Sequence, residues 1–336
     1  MKYVLDYSLK QGKHCFYGSM SNIFDYYNYS LSEAEIFILC NGLQFTIDVS
    51  LIESNISSHV LECINLDYEK QVLQFSKSIH CPVDFINAGS KIEIVDFIQA
   101  ALSHNNPPLL FLNSGILNYL IYQNPLGNLG AHSIVVYGIN NDQIMYADVY
   151  NPDYSNNIYT QIGCMEIDKL ICYMIKGLRF SIYPDVEIKN KNKFIAERTR
   201  DMLMHYLIGK DAGGNICGHK ALCKVLELTC NDSIMNKEKC QSNFIALILL
   251  IKSYFSSAML YLKDLHYIFR FTNEYTKDNY LSDINQLIDY WTSFHQRCLS
   301  TVHKNSARTI DKIKDHSNHV FEFQKELFYK IISILN

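Results

Sequence analysis

The chain has 336 residues, 48% of them hydrophobic and 19% charged, with a formal net charge of −4 at neutral pH. That length suits two domains of ordinary size, and the balance of apolar and charged residues excludes a disordered chain. No long basic block is present, which argues against nucleic acid as a partner. The longest apolar run, Phe244 to Ile251, is far short of the ~20 residues a membrane span needs.

The first predicted element opens at Gly12-Lys13-His14-Cys15-Phe16-Tyr17-Gly18-Ser19-Met20. Phe16, Met20, Ile23, Phe24 and Tyr27 recur at helical spacing, which predicts a helix over 15–28. Ser30-Leu31-Ser32-Glu33 reads as a capping box, a serine and a glutamate three residues on satisfying each other's orphan amides. A second helix is expected from there to about residue 40, ended by Asn41-Gly42. Residues 43–49 alternate like a short strand, 67–78 look helical and 82–86 extended. A second capping box, Ser90 with Glu93, opens a helix to about residue 104. Pro107-Pro108 stops it, and 109–112 read as a buried strand. Residues 113–129 are rich in Asn and Gly and are expected to loop over the front of a site.

The clearest β signal follows. His132 to Ile139 is one strand, 140–142 the turn, and Gln143 to Tyr150 the second strand, closed by Asn151-Pro152-Asp153. A short helix over 168–176 and a strand over 178–183 complete the first half. Past Pro184 strand signals nearly vanish. A polar link at 189–193 precedes helical periodicity at 194–208, 219–229, 242–271, 279–303 and 307–335. The predicted domains are therefore 1–188, mixed α+β, and 189–336, an α-helical bundle.

A cysteine in the first turn of a helix sits at the positive end of the helix dipole, which favours the nucleophilic thiolate. Cys15 holds that position. It needs a base and an orienting group. The hairpin offers His132 to take the proton and Asp148 to hold the imidazole. With a three-residue turn, His132 faces Tyr150 and Asp148 is a diagonal neighbour on the same face, ~7–8 Å away at Cα. With a two-residue turn Asp148 points to the other face, so the reading requires the longer turn or a bulge. The backbone N–H of Cys15 is the first candidate oxyanion donor, and Gln11 the candidate side-chain donor. Glu33 and Tyr17 are the candidates for substrate contact, with a helix cap the competing role for Ser32-Glu33. Cys217, His219, Cys223 and Cys230 lack a CxxC pair and fall on a predicted helix, so no metal is expected. The plainer alternatives stay open at this point: a structural thiol at Cys15, a backbone-bonded His132, a turn-capping Asp148.

Lys13-His14-Cys15 with Ser19, Leu31-Ser32-Glu33-Ala34, Gly130-Ala131-His132-Ser133-Ile134-Val135-Val136-Tyr137-Gly138 and Ala147-Asp148 resemble the N-terminal domain of the butirosin biosynthesis protein H family. Gly213 to Leu222 is similar to the glycine-rich entry to that family's helical second half. The resemblance implies a papain-like (C39-peptidase-like) cysteine-enzyme domain followed by an α-helical C-terminal domain. It also implies an acyl group taken from the phosphopantetheine thioester of an acyl or peptidyl carrier protein and passed through Cys15 to a small amine, diamine or aminoglycoside-like. A related amide-forming enzyme acts in closthioamide assembly. Papain-like enzymes usually carry an oxyanion glutamine six residues before the cysteine. Here that position is Leu9, while Gln11 lies four before.

The leading expectation is thus a cysteine acyltransferase forming an amide bond in secondary-metabolite biosynthesis, without a metal or a cofactor of its own. The competing expectations are a cysteine peptidase or amidase with the same three residues, and a non-catalytic module that binds a carrier protein or peptide. Eleven scattered cysteines and an N-terminus without an apolar leader suit free thiols in the cytoplasm.

Overall fold

The structure is a computed structural model that describes residues 2–48, 64–65, 67–113, 117, 131–152, 158–182, 188–209, 215–235, 244, 247–248, 250–304 and 307–335. In chain order its elements begin with β1 (Lys2–Val4), α1 (Cys15–Tyr26), α2 (Glu33–Leu39), β2 (Thr46–Asp48), β3 (Ile64–Asn65), α3 (Tyr68–Ile79), β4 (Val83–Asn87) and α4 (Lys91–Ser103). They continue with β5 (Leu109–Asn113), β6 (Ala131–Asn140), β7 (Gln143–Pro152), β8 (Ile158–Glu166), α5 (Ile167–Tyr173), β9 (Met174–Phe180), α6 (Lys191–Ile208), β10 (Asn215–Cys217) and α7 (Gly218–Met235). A π-helical stretch, Ile251–Phe255, leads into α8 (Ser256–Asp264) and a 3-10 turn, Leu265–Ile268; α9 (Lys277–Lys304) and α10 (Ala307–Ser333) close the chain.

Two compact units result, residues 1–36 with 72–187, and residues 37–71 with 188–336. The first expected domain, 1–188, is therefore not continuous: 37–71 go to the helical unit.

The first unit is built on an antiparallel sheet ordered β4-β9-β5-β6-β7-β8, with β1 pairing to β6 beyond the end of β5. Mixed helix and antiparallel sheet place it in the α+β class. Ile94, Ile98 and Leu102 of α4 pack with Leu110, Leu112, Ile134, Val136, Ile144 and Tyr146 from the sheet. Burying such side chains is the dominant favourable term in folding. Phe24 of α1 makes edge contacts with Phe75 at 5.1 Å and Phe180 at 5.2 Å, and Phe16 lies 5.6 Å from Phe111. The capping box at Ser90 and Glu93 is present.

The hairpin differs from expectation in one useful way. Its turn has two residues, Asn141 and Asp142, with Asn141 in the left-handed region at φ 53°. Asn140 pairs with Gln143 and Gly138 with Met145, but Val136 pairs with Tyr146. Tyr137 is thus an extra residue, a β-bulge. A bulge inserts one residue and so restores the face that the short turn alone would have reversed. Strand β8 has no counterpart in the sequence reading. It forms one edge of the ordered path, with Tyr159 and Ile162 exposed, and an edge strand shows no clean apolar face. The stretch 113–129 lies, apart from residues 113 and 117, outside the described residues.

The second unit combines the helices with a small antiparallel sheet ordered β10-β2-β3. Its core is aromatic: Phe255 stacks on Trp291 at 4.6 Å, and Phe45 meets Tyr254 at 5.4 Å and Phe255 at 5.9 Å. Gly218 has φ 59°, and a Cβ there would come within 2.4 Å of the Tyr206 carbonyl oxygen, so only glycine fits. No helix among the described residues is long and apolar enough to cross a membrane.

Candidate functional site

The start of α1 is fixed from three directions. Asn22, buried in α1, accepts from Lys10 N at 2.7 Å and donates to Lys10 O at 3.1 Å and Gly18 O at 2.9 Å. Gly12 N donates to Val149 O at 2.9 Å, which ties the segment to β7. Gly12 and Gly18 approach so closely that a Cβ on Gly12 would lie 3.1 Å from the Gly18 Cα. Glu33 supplies the third tie. Its carboxylate accepts from Lys13 N at 3.0 and 2.9 Å and from His14 N at 2.8 Å.

That role for Glu33 follows from a shifted capping box. The box at the head of α2 is Ser32 with Glu35: Ser32 N donates to Glu35 at 2.8 Å and Glu35 N to Ser32 Oγ at 3.2 Å. It is not Ser30 with Glu33, so the Glu33 carboxylate reaches back to the turn before Cys15. Nothing local in the sequence signals a bond across twenty residues. Tyr17 is 3% exposed and packs 4.9 Å from both His14 and Phe16, so it supports the turn from within.

His132 and Asp148 meet. His132 Nε2 lies 2.8 Å from Asp148 Oδ2, with His132 8% exposed and Asp148 wholly buried. Asp148 Oδ1 accepts from Tyr150 N at 3.0 Å, which fixes the carboxylate's second oxygen. With Nε2 committed to Asp148, Nδ1 is the ring nitrogen left for Cys15, whose thiol hydrogen-bonds to the His132 side chain and to the Ser133 backbone. Burial raises the Cys15 thiol, but the His132 charge, the His132 hydrogen bond and the Ser133 N–H outweigh it together with Asp148, and the thiol is held below its usual value. Burial lowers the His132 imidazole, but Asp148 and Cys15 outweigh it and hold the ring well above its usual value. These opposite directions favour the thiolate of Cys15 and the imidazolium of His132 relative to the isolated groups.

The N-cap of α1 is His14, a residue the sequence reading passed over. Its Nδ1 accepts from Phe16 N at 3.1 Å, and it is 6% exposed. Burial, then the nearby His132 charge, lower its pKa to about 3. The N–H of Cys15 finds no acceptor among the described residues. The Gln11 side chain is exposed, in the wall of a cleft of about 330 Å³ that Gly12, Gly18 and Glu33 also line. Farther on, Cys223 lies 3.7 Å from His219 Nε2 one turn earlier on α7.

A helix N-terminus that carries Cys15 and a buried His132–Asp148 pair on the β6–β7 hairpin define an α+β domain with a cysteine nucleophile-type cluster. The family model described as Butirosin biosynthesis protein H, N-terminal, matches residues 14–149, from the N-cap histidine to one residue past Asp148. The match covers less than half of the 336-residue chain, and it is this segment that is similar to the family's N-terminal domain. The similarity read at Gly213 to Leu222 lies outside the matched segment. A comparison with curated proteins finds no match.

Proposed function

We propose that the protein is a cysteine acyltransferase that takes an acyl group from a carrier-protein thioester and passes it to an amine in secondary-metabolite biosynthesis, within a papain-like catalytic domain. The observation that carries this reading is the hydrogen-bonded line from Cys15 to His132 to Asp148, with the thiol lowered and the imidazole raised.

The steps balance without a metal or redox partner. The Cys15 thiolate attacks the thioester carbonyl carbon, and the new C–S bond forms as the carbonyl oxygen becomes an oxyanion. Collapse expels the carrier's pantetheine thiolate, which takes the proton from the His132 imidazolium. An amine then attacks the Cys15 thioester, neutral His132 accepts its proton, and Cys15 leaves as thiolate. The starting ion pair is restored. Thioester exchange is close to isoenergetic and aminolysis is downhill. Asp148 keeps the imidazole oriented throughout and stabilises its charged form.

Mass spectrometry tests this directly. Incubation with an acylated carrier protein should leave the acyl mass on Cys15, and added diamine should remove it as the amide. Peptide cleavage with no dependence on a carrier would favour the peptidase reading instead. A binding function that Cys15→Ala leaves untouched would end the enzymatic one.

A further inference from the structure

Acyl transfer through Cys15 creates an oxyanion, and one donor for it is evident, the Cys15 N–H. Papain-like enzymes add a glutamine side chain from six residues upstream, but Leu9 stands there and Gln11 is turned to solvent in a neighbouring cleft. We infer that His14 supplies the second oxyanion donor through its Nε2–H.

Four observations carry this. The ring lies across the head of α1, because its Nδ1 sits 3.1 Å from Phe16 N, one residue past the nucleophile. Accepting that hydrogen bond requires Nδ1 to be bare, so in the neutral ring the proton must reside on Nε2. The ring is held, 4.9 Å from Tyr17 on one side and stacked on Tyr150 at 6.4 Å, while Glu33 anchors its backbone N–H. Finally, Nε2 has no hydrogen-bond partner among the described residues and is not one of their solvent-inaccessible unpartnered atoms, so it is an accessible polar edge on a ring that is otherwise buried. An accessible donor on a ring held in place by its neighbours is open to a ligand without rearrangement.

The electrostatics agree. Burial and the His132 charge keep this imidazole neutral, so it serves as a fixed dipole and takes no part as an acid or base. A neutral N–H donor placed in a shielded site needs no reorganisation when the oxyanion forms. Two adjacent histidine-type groups thereby divide the labour: His132 moves the proton, His14 holds the charge.

The inference rests on acylation of Cys15, and the test separates the two ideas. Asn at position 14 keeps the N-cap acceptor for Phe16 N but carries no donor at the Nε2 position. The intact chain and its His14→Asn and His14→Ser variants are compared in two reactions of Cys15: the acylation burst with p-nitrophenyl acetate, which passes through an oxyanion, and alkylation by iodoacetamide, which does not. Both variants should slow the burst by about 10²–10³-fold, the loss typical of one oxyanion donor, while the alkylation rate and its pH profile stay within about threefold of the unaltered protein. A burst unchanged in the variants overturns the inference, as does alkylation that falls in parallel with it, which would mark a purely structural cap. Absence of any burst in the unaltered protein overturns it too. Failure to accept acyl groups from a carrier protein, with the burst and its His14 dependence intact, overturns the proposed function and leaves the donor standing.

Discussion

Two titrating groups, Cys15 and His132, are pushed in opposite directions, and that sets a pH signature. The thiol's folded value is lowered, so alkylation of Cys15 should weaken only as pH falls through that lower step. The imidazole's folded value is raised, so acyl transfer should weaken again as pH rises through the upper step, where the proton needed by the departing thiol is lost. The two steps belong to the pair and not to either residue. The stability sign follows the same rule: His132 contributes fully below about pH 6.5, its unfolded value, and the contribution is lost as pH rises through the folded value. A single alkylation titration near the ordinary thiol value, about 8.5, would remove the ion pair from the account. In steady-state turnover, Cys15→Ala and His132→Ala should each cost on the order of 10⁶-fold and Asp148→Ala on the order of 10⁴-fold, with double variants no worse than the worst single one, because such groups act as a unit. Losses that add would show three independent contributors. The positions of Cys15, His132 and Asp148 were readable from a helix start and a hairpin. The work of Glu33 and His14 was not, because each depends on a hydrogen bond whose partner cannot be inferred from periodicity.

At the level of elements, the decisive feature is the bulge in β6. A two-residue turn by itself would have sent Asp148 to the opposite face from His132. The extra residue, Tyr137, corrects the register between Gly138 and Val136. Deleting Tyr137 should therefore separate the His132–Asp148 pair while leaving the turn intact, and turnover should fall at least as far as in Asp148→Ala. Retained turnover in that deletion would show that β6 and β7 can re-register around the site. Sequence periodicity gave both strands and the need for a correction, but a bulge leaves no compositional mark beyond the adjacent Gly138. The loop before α1 invites a second test. Glu33→Ala leaves the N–H groups of Lys13 and His14 without their acceptor, at a cost of about 1–3 kcal/mol. A thermal melt should show that loss, with Glu33→Gln milder because its carbonyl still accepts. A melt unchanged in Glu33→Ala would mean that water replaces the carboxylate without penalty.

The whole molecule divides in a way that sequence composition does not announce. The change to helical pattern past residue 184 and the polar link at 189–193 suggest one cut, yet residues 37–71 also belong with the helical unit. The alternation at 43–49 marks the strand that holds β2, but β3 is only two residues long and gives no alternation, and a short strand does not show which unit it joins. Physically they matter. Phe45 is fully buried against Tyr254 and Phe255, Phe37 lies 4.9 Å from Tyr261, β2 pairs with β10, and Gly218 N donates to Phe45 O at 3.2 Å. Removing one such Phe from a core costs about 3–5 kcal/mol, against a total domain stability of about 5–15 kcal/mol. Losing both, with the strand that pairs β10, is enough to abolish specific packing while the helices themselves persist. A fragment of residues 189–336 should therefore keep its far-ultraviolet helical signal but melt broadly and bind a hydrophobic dye, the marks of a compact state without fixed packing. The full chain should melt cooperatively through the same region. A sharp, dye-free transition in the fragment would show that the helices build their core without the inserted segment, and that 37–71 is a passenger on it.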